Sequence, residues 1–225
     1  MKNLYSYLLT EGKRVLEPWL KGEEEKRNDE KRVLLEEVAL ETKSEGVLRA
    51  SKKFVATVEE SLRSLGIRYL AVDAVTEAPL TIGRSGGMGV IPFEVGIAFD
   101  WLLNVPYIPG SSIKGAMRRH LGTGTKGEKD WFTAFDAYPI NSSSGYLLVP
   151  DVLTPHYSGN VETELDVSPN PIVYLVVPKG VTFRFLIALE REGKEGEIME
   201  ALRKALEKGI GAKTSVGYSY FRLRG

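Results

Sequence analysis

The chain has 225 residues, with 30 basic and 30 acidic side chains, a formal net charge of zero and no cysteine. The missing cysteines exclude disulfides, zinc–thiolate sites and thiol nucleophiles together. Neutrality argues against a surface coated with basic charge for sequence-blind nucleic-acid binding, and the length fits one domain, alone or with a helical extension.

The first 65 residues read as helices. Leu4, Tyr5, Leu8, Leu9, Val15, Leu16, Trp19 and Leu20 recur at helical spacing, which predicts one amphipathic face, with Pro18 expected to bend or end the helix. Glu11 and Lys13 interrupt the opening, and no stretch reaches the roughly 20 apolar residues of a membrane span. A soluble, cytoplasmic chain is expected. Residues 21–32 are a charged run, read as a solvated helix face or connector leading into Val33–Leu40. Phe54, Val58, Leu62 and Leu65 make a further stripe that Gly66 stops. The first 65 residues carry 13 acidic and 13 basic side chains. Residues 1–66 are expected to form a helical N-terminal extension, and residues 67–225 the main domain.

From Ile67 the period changes to two. Ile67, Tyr69, Ala71, Asp73 and Val75 share one face and Arg68, Leu70, Val72 and Ala74 the other, and such apolar faces predict a central strand. The Gly83–Gly89 stretch is glycine-rich but lacks the GK[ST] ending and the GxGxxG spacing, so nucleotide binding is not predicted. Phe93–Phe99 alternates again. Pro109-Gly110-Ser111-Ser112 sets up a helix over Ser112–Leu121, with the Ser111 or Ser112 hydroxyl as its cap. Ile113, Ala116, Met117 and Leu121 point inward, while Lys114 and Arg118 sit four apart on another face. Strands are expected at Trp131–Asp136 and Tyr146–Val152, then a long excursion over Thr154–Pro171. Ile172–Val177 and Val181–Leu189 read as a hairpin turning at Pro178-Lys179-Gly180. A helix follows with Ile198, Ala201, Leu202, Ala205 and Leu206 inside, then a glycine-rich loop and a strand to Leu223. The order from residue 67 is the α+β, ferredoxin-like (RRM-like) βαββαβ pattern.

Two segments carry chemistry, PYIPGSSIKGAMRRHL (106–121) and KGIGAKTSVGYSYF (208–221). A glycine-rich loop lets backbone amides approach anionic oxygens that bulkier residues would keep away. Gly209, Gly211 and Gly217 supply that freedom, Lys213 a charge, and Thr214 and Ser215 hydroxyl donors. The helix start after Pro109 adds partial positive charge, with Lys114 and Arg118 beside it. The plainer reading is that Gly209 caps a helix and the other glycines make a tight turn. Arg84 either reaches phosphate or sits in a flexible turn. For catalysis, His120 reads as a packed or surface residue and His156 as a base without a visible partner. Asp100 and Asp151 are candidates for metal-assisted cleavage, and HExxH or paired-carboxylate sites are absent from the sequence.

These two segments, with FDAYP (135–139), DVLTPHYS (151–158) and NPIVYLVVPKGVTFRF (170–185), resemble the RAMP (repeat-associated mysterious protein) superfamily. More specifically, residues 67–225 are similar to the family of sixth-numbered RAMP subunits of type III-B CRISPR (Cmr) complexes. The resemblance implies a non-catalytic RNA-binding subunit. It would cap the Cmr filament beside other RAMP subunits and hold the 3′ part of the guide RNA with its paired target RNA. It also implies RNA contact at Arg84, Ser111, Ser112, Lys114, Arg118, Gly209, Gly211, Lys213, Thr214 and Ser215, with no cofactor, metal, membrane or small-molecule substrate. The rival is a stand-alone RAMP endoribonuclease that processes CRISPR precursor RNA.

Overall fold

The computed structural model describes residues 3–43, 45–83, 88, 89, 93, 95–121, 131–153 and 172–224. Four helices come first: α1 (Leu4–Glu11), α2 (Lys13–Leu20), α3 (Glu24–Glu41) and α4 (Glu45–Ser64). The break between the first two falls at Gly12, not at Pro18, which lies buried inside α2. Glycine is a poor enough helix former to divide the run, and the division splits the expected single face. Leu4, Leu8 and Val15 are buried, whereas Tyr5, Leu9, Trp19 and Leu20 are exposed. The charged run belongs to α3 itself, whose C-terminal half buries Leu34, Leu35, Val38 and Ala39. Arg14 joins α2 to α3 through Glu30 at 2.9 Å and Glu37 at 3.0 Å.

Next come β1 (Tyr69–Thr76), a small ladder of β2 (Phe99–Asp100) with β3 (Val105–Pro106), and α5 (Gly110–Arg118). After them lie β4 (Phe132–Ala134), β5 (Tyr138–Ser142), β6 (Val149–Leu153), β7 (Ile172–Val176), β8 (Val181–Leu189), α6 (Glu195–Lys208) and β9 (Phe221–Leu223). In the main sheet β9 pairs β1, β1 pairs β8, and β8 pairs both β4 and β5, every pair antiparallel. With β4 and β5 counted as one interrupted strand, the order is last–first–third–second. That is the ferredoxin-like arrangement expected from the sequence.

Strand β8 explains the correction of the expected hairpin. Its two edges are filled by β1 on one side and by β4 and β5 on the other. No donor row is left for β7, which pairs β6 in a separate ladder instead. The Pro178–Gly180 turn therefore carries the chain between two sheets. Gly180 N–H donates to the Thr76 carbonyl at 2.9 Å, and the Thr76 hydroxyl donates to the Pro178 carbonyl at 2.8 Å. The expected Phe93–Phe99 strand shrinks to Phe99–Asp100 among the described residues. The excursion over 154–171, most of the Gly83–Gly89 loop, Arg84 and His156 lie outside them.

The sheet is covered on both faces. Leu70, Val72, Ala74 and Thr76 alternate with residues of the opposite face, and their β8 partners include Ile187, Phe185 and Phe183. This face meets α6, which buries Ile198, Ala201, Leu202, Ala205 and Leu206 as the periodicity predicts. Helix α4 lies across the other face. Its Ser51 hydroxyl donates to the Pro139 carbonyl at 2.6 Å, and the Phe54 ring meets Tyr138 edge-on at 5.0 Å. Glu59 of α4 and Asp73 of β1 both accept from the Arg184 guanidinium of β8. Leu4, Leu8, Val15, Leu34 and Val38 of the first three helices belong to the same apolar cluster as the sheet.

The start of α5 departs from expectation. The helix begins at Gly110, Pro109 is its N-cap, and no side chain caps it, so Ser111 and Ser112 sit inside the first turn. The Gly110 amide donates instead to the Asp136 carboxylate at 2.7 Å. A Cβ on Gly110 would lie 2.2 Å from the Ala134 carbonyl oxygen, while one on Gly115 would meet nothing within 4 Å. Gly110→Ala should therefore lower stability by about 1–3 kcal/mol, through overpacking. Gly115→Ala should raise it by about 0.5–1 kcal/mol, because alanine is the better helix former. Thermal unfolding of the two variants should move in opposite directions, and parallel shifts would contradict the packing of α5 on β4.

Candidate nucleic-acid interface

The glycine-rich loop folds back on the segment that follows β1. Beyond α6, Gly209 turns the chain with φ 95°. Ile210 N–H donates to the Ser219 carbonyl at 3.1 Å, Ala212 N–H to the Thr81 carbonyl at 2.8 Å, and Ser219 N–H to the Pro79 carbonyl at 2.9 Å. The buried Ser219 hydroxyl donates to the Ala212 carbonyl at 3.0 Å. Gly211 has φ 141°, and a Cβ there would fall 2.7 Å from the Thr81 oxygen and 2.8 Å from the Ser219 hydroxyl. The loop's own packing thus demands glycine at this position, whatever it binds.

Lys213 takes a left-handed conformation with φ 59°, ahead of a 3₁₀ turn over Thr214–Val216. Its ammonium donates to the Tyr174 hydroxyl at 2.6 Å and lies 4.6 and 4.9 Å from the ring centroids of Tyr174 and Tyr218. The Tyr218 hydroxyl donates to Asp151 Oδ2 at 2.6 Å. That hydrogen bond, then burial, raises the Tyr218 pKa above its ordinary value. Asp151 stands on β6 and Tyr174 on β7, so this network fastens the loop to the second ladder. Cation–π contact and charge-assisted hydrogen bonds together fix the lysine geometrically as well as electrostatically.

Opposite Gly209–Ala212 stands one stripe of α5. Ser112, Gly115, Ala116 and Arg119 face the loop across a groove of about 380 Å³, with Ile82 and Gly83 completing its wall. Small residues at three of the four stripe positions leave room for a chain to approach. Arg119 is exposed and has no carboxylate within 4 Å among the described residues. Of the residues singled out from the sequence, Ser112, Gly209 and Gly211 line this groove. Ser111 is exposed on the first turn of α5. The Lys114 ammonium lies 5.5 Å above the Phe132 ring of β4, and Arg118 is exposed one turn on, so the two sit away from the groove lining. Thr214 is half-buried, with its carbonyl accepting from the Tyr220 hydroxyl, and Ser215 is exposed on the 3₁₀ turn. Sequence reasoning missed Gly115, Ala116 and Arg119. The spacing i, i+3, i+4, i+7 from Ser112 was the signal that could have found them.

The candidate catalytic carboxylates are engaged within the fold. Asp100 Oδ1 accepts from the Leu102 and Leu103 amides, both at 2.9 Å, and Oδ2 accepts from the Tyr138 hydroxyl at 2.9 Å. Burial, then this bond, holds Tyr138 well above the usual phenol range. Asp151 accepts from the Val152 amide as well as from Tyr218.

Comparison with known proteins shows the family and the fold. The RAMP superfamily model matches residues 73–131. The CRISPR system CMR subunit Cmr6 of Saccharolobus solfataricus is 37% identical over 215 residues, 90% of this chain and 74% of that protein. A chain in a cryo-EM structure of the type III-B Cmr-beta bound to cognate target RNA superposes with a TM-score of 0.80. It is 37% identical, covering 90% of this chain and 74% of that one.

Gly217 also has positive φ, 93°, but a Cβ there would meet open space. Gly217→Ala should cost about 1–2 kcal/mol, the left-handed penalty alone. Gly211→Ala should cost more, since backbone and a buried hydroxyl stand in the way. Chemical denaturation of both variants tests the order, and an equal loss would mean the loop does not pack on Thr81 as described.

Proposed function

The chain belongs to the Cmr6 family of the RAMP superfamily, and we propose that it is an RNA-binding, non-catalytic subunit of a type III-B CRISPR (Cmr) effector complex. In this reading it caps the filament next to other Cmr subunits and holds the 3′ part of the guide RNA with the paired target RNA. The groove between the α5 stripe and Gly209–Ala212 is the observation that carries it. Its walls offer backbone, small side chains, a serine hydroxyl and the guanidinium of Arg119, the chemistry of phosphate and sugar contact. Among the described residues its lining has no row of base-reading side chains, which suits a guide whose sequence varies. The positive charge is local, so it is compatible with zero net charge. Helix α4 covers the sheet face over β5 and β8, so RNA is expected at the groove and not stacked on that face.

The non-catalytic part of the reading rests on the geometry of the carboxylates. Every oxygen of Asp100 already accepts from backbone or Tyr138, so its first task is to hold the turn before β3. Reassembled complexes carrying Asp100→Asn or His120→Ala should cut target RNA at unchanged positions and within a few-fold of the normal rate. General acid–base catalysis contributes about 10²–10⁴-fold, so loss of one cut with intact assembly would give this chain an active site.

Arg119→Ala should weaken RNA retention by the assembled complex and flatten the log-affinity against log-salt slope by about 0.7–0.9, one phosphate contact. Lys114→Ala, on the Phe132 side of the helix, should do less. Fluorescence anisotropy across a salt series distinguishes them, and an equal slope in Arg119→Ala and the parent would remove the groove from the RNA path.

A further inference from the structure

We propose a second RNA-backbone contact, built by the N-terminal half of α4 and the serine-rich loop after β5. A groove of about 700 Å³ lies there, lined by Lys43, Arg49 and Lys52 on one side and by Asn141 and Ser142 on the other. Its lining includes no acidic residue among those described. All three cations are exposed. Arg49 and Lys52 have no carboxylate within 4 Å among the described residues. Three cations gathered in a lining whose described residues include no carboxylate raise one another's energy unless an anion joins them.

The groove is also firm. The Ser142 hydroxyl donates to the Tyr146 carbonyl at 2.6 Å, the Lys43 ammonium sits 5.5 Å from the centre of the Tyr146 ring, and Leu148 N–H donates to the Thr42 hydroxyl at 3.1 Å. Its position fits an RNA path. Ser142 pairs with Val181 at the start of β8, and the glycine-rich loop enters β9 beside the end of β1, where Glu77 N–H donates to the Tyr220 carbonyl. Both therefore emerge at the same end of the sheet. With the strand order β9–β1–β8–β5 the two strand ends stand three strand spacings apart in the sheet, about 14 Å at about 4.8 Å each, and because α6 and α4 cover opposite faces the path between the grooves rounds this end of the sheet. Between them is the Pro178–Gly180 turn. Ser143 N–H donates to the Gly180 carbonyl at 3.0 Å, which places exposed Lys179 midway along that end. Glu77, a carboxylate at the β1 end, is held by Arg222 at 3.0 Å. A strand of RNA leaving the Gly209–Ala212 groove thus meets Lys179 and then the Lys43–Arg49–Lys52 cluster. Asn and Ser hydrogen-bonding groups interleaved with cations suit phosphate and ribose, whereas a protein-binding surface is expected to centre on apolar anchors.

This inference rests on the RNA-binding reading and deepens it. The test compares three assemblies: the complete Cmr complex, the complex with Arg49→Gln and Lys52→Gln in this chain, and the complex without this chain. A fluorescein-labelled guide RNA paired with its target is titrated across a salt series in each. The double variant should flatten the log-affinity against log-salt slope by about 1.4–1.8 at two phosphate contacts. Its thermal unfolding should stay unchanged, because both side chains are exposed. If omission of the chain weakens RNA binding but the double variant matches the parent slope, this groove is not on the RNA path and the inference falls. If omission itself changes nothing, the RNA-binding reading falls and the inference with it. A folded double variant that no longer joins the complex would show that the groove meets an acidic protein neighbour, and that too overturns it.

Discussion

Strand β8 has no free edge and no free face. Hydrogen bonding to β1 on one side and to β4 and β5 on the other uses both of its rows, and a central strand in this position must also be covered above and below. Much of the remaining architecture follows. β7 is forced into a separate ladder with β6. That ladder stands beside the glycine-rich loop, and it supplies Tyr174 and Asp151, the groups that fix Lys213 and Tyr218. The saturation of one strand therefore fixes the partners of the loop that forms the candidate RNA groove.

The second face of β8 needed a different solution, because Arg184 points into it. An arginine on a covered face must meet carboxylates, and it finds Asp73 directly across the ladder and Glu59 on α4. Hydrogen bonds donated to Asp73, and to Glu59, raise the guanidinium pKa further above its already high value. The Arg184 side chain keeps 28% of its exposure, so solvent screening limits the energy of the cluster to that of a partly exposed network. Its contribution is better understood as geometry. Removing any member would leave a half-covered charge, so α4 is held in one register on the sheet. Arg63 adds to this by bridging Glu59 at 3.1 Å and the Tyr69 hydroxyl at 2.9 Å. With α4 so placed, Lys43, Arg49 and Lys52 come to the same sheet end as the glycine-rich loop.

The fold was legible where a local pattern determines the answer. The apolar positions of α6, the two apolar faces of β1 and the βαββαβ order all depend on periodicity within one element. What local pattern cannot express is the choice of partner. The sequence pattern pairs Val181–Leu189 with Ile172–Val177 because a tight turn lies between them, yet β8 is already occupied on both edges. The same gap affected α5. Its amphipathicity identified the buried face through Ile113 and Met117, but two polar sides remained, and charge drew attention to Lys114 and Arg118. The side that faces the groove is marked instead by small residues: Gly115, which periodicity treats as neutral, and Ala116, which periodicity assigns to the inward face and which stands half-buried at the groove. Lys213 was legible as a cation but not as a tethered one, since its tyrosine partners lie 39 residues away or across a turn.

In the proposed RNA-binding reading, that tethering would change how the loop meets a polyanion. A lysine free to swing contributes charge but loses side-chain entropy on binding, about 1.5–2 kcal/mol for a fully ordered chain. Lys213 is already ordered by Tyr174 and Tyr218, and the loop backbone by Pro79, Thr81 and Ser219. A ligand that meets a surface set in advance gives up less on association. Such economy matters most for a ligand read by backbone and shape, since it offers no base-specific contacts to offset the ordering of a loose loop. The positive φ at Lys213 fits this reasoning. A non-glycine residue in that region is disfavoured, and it persists where its surroundings over-determine it. Here the surroundings are a hydrogen bond, two aromatic faces and a carboxylate beyond them. The glycines give the loop its shape, and the tyrosine–aspartate–lysine network keeps it.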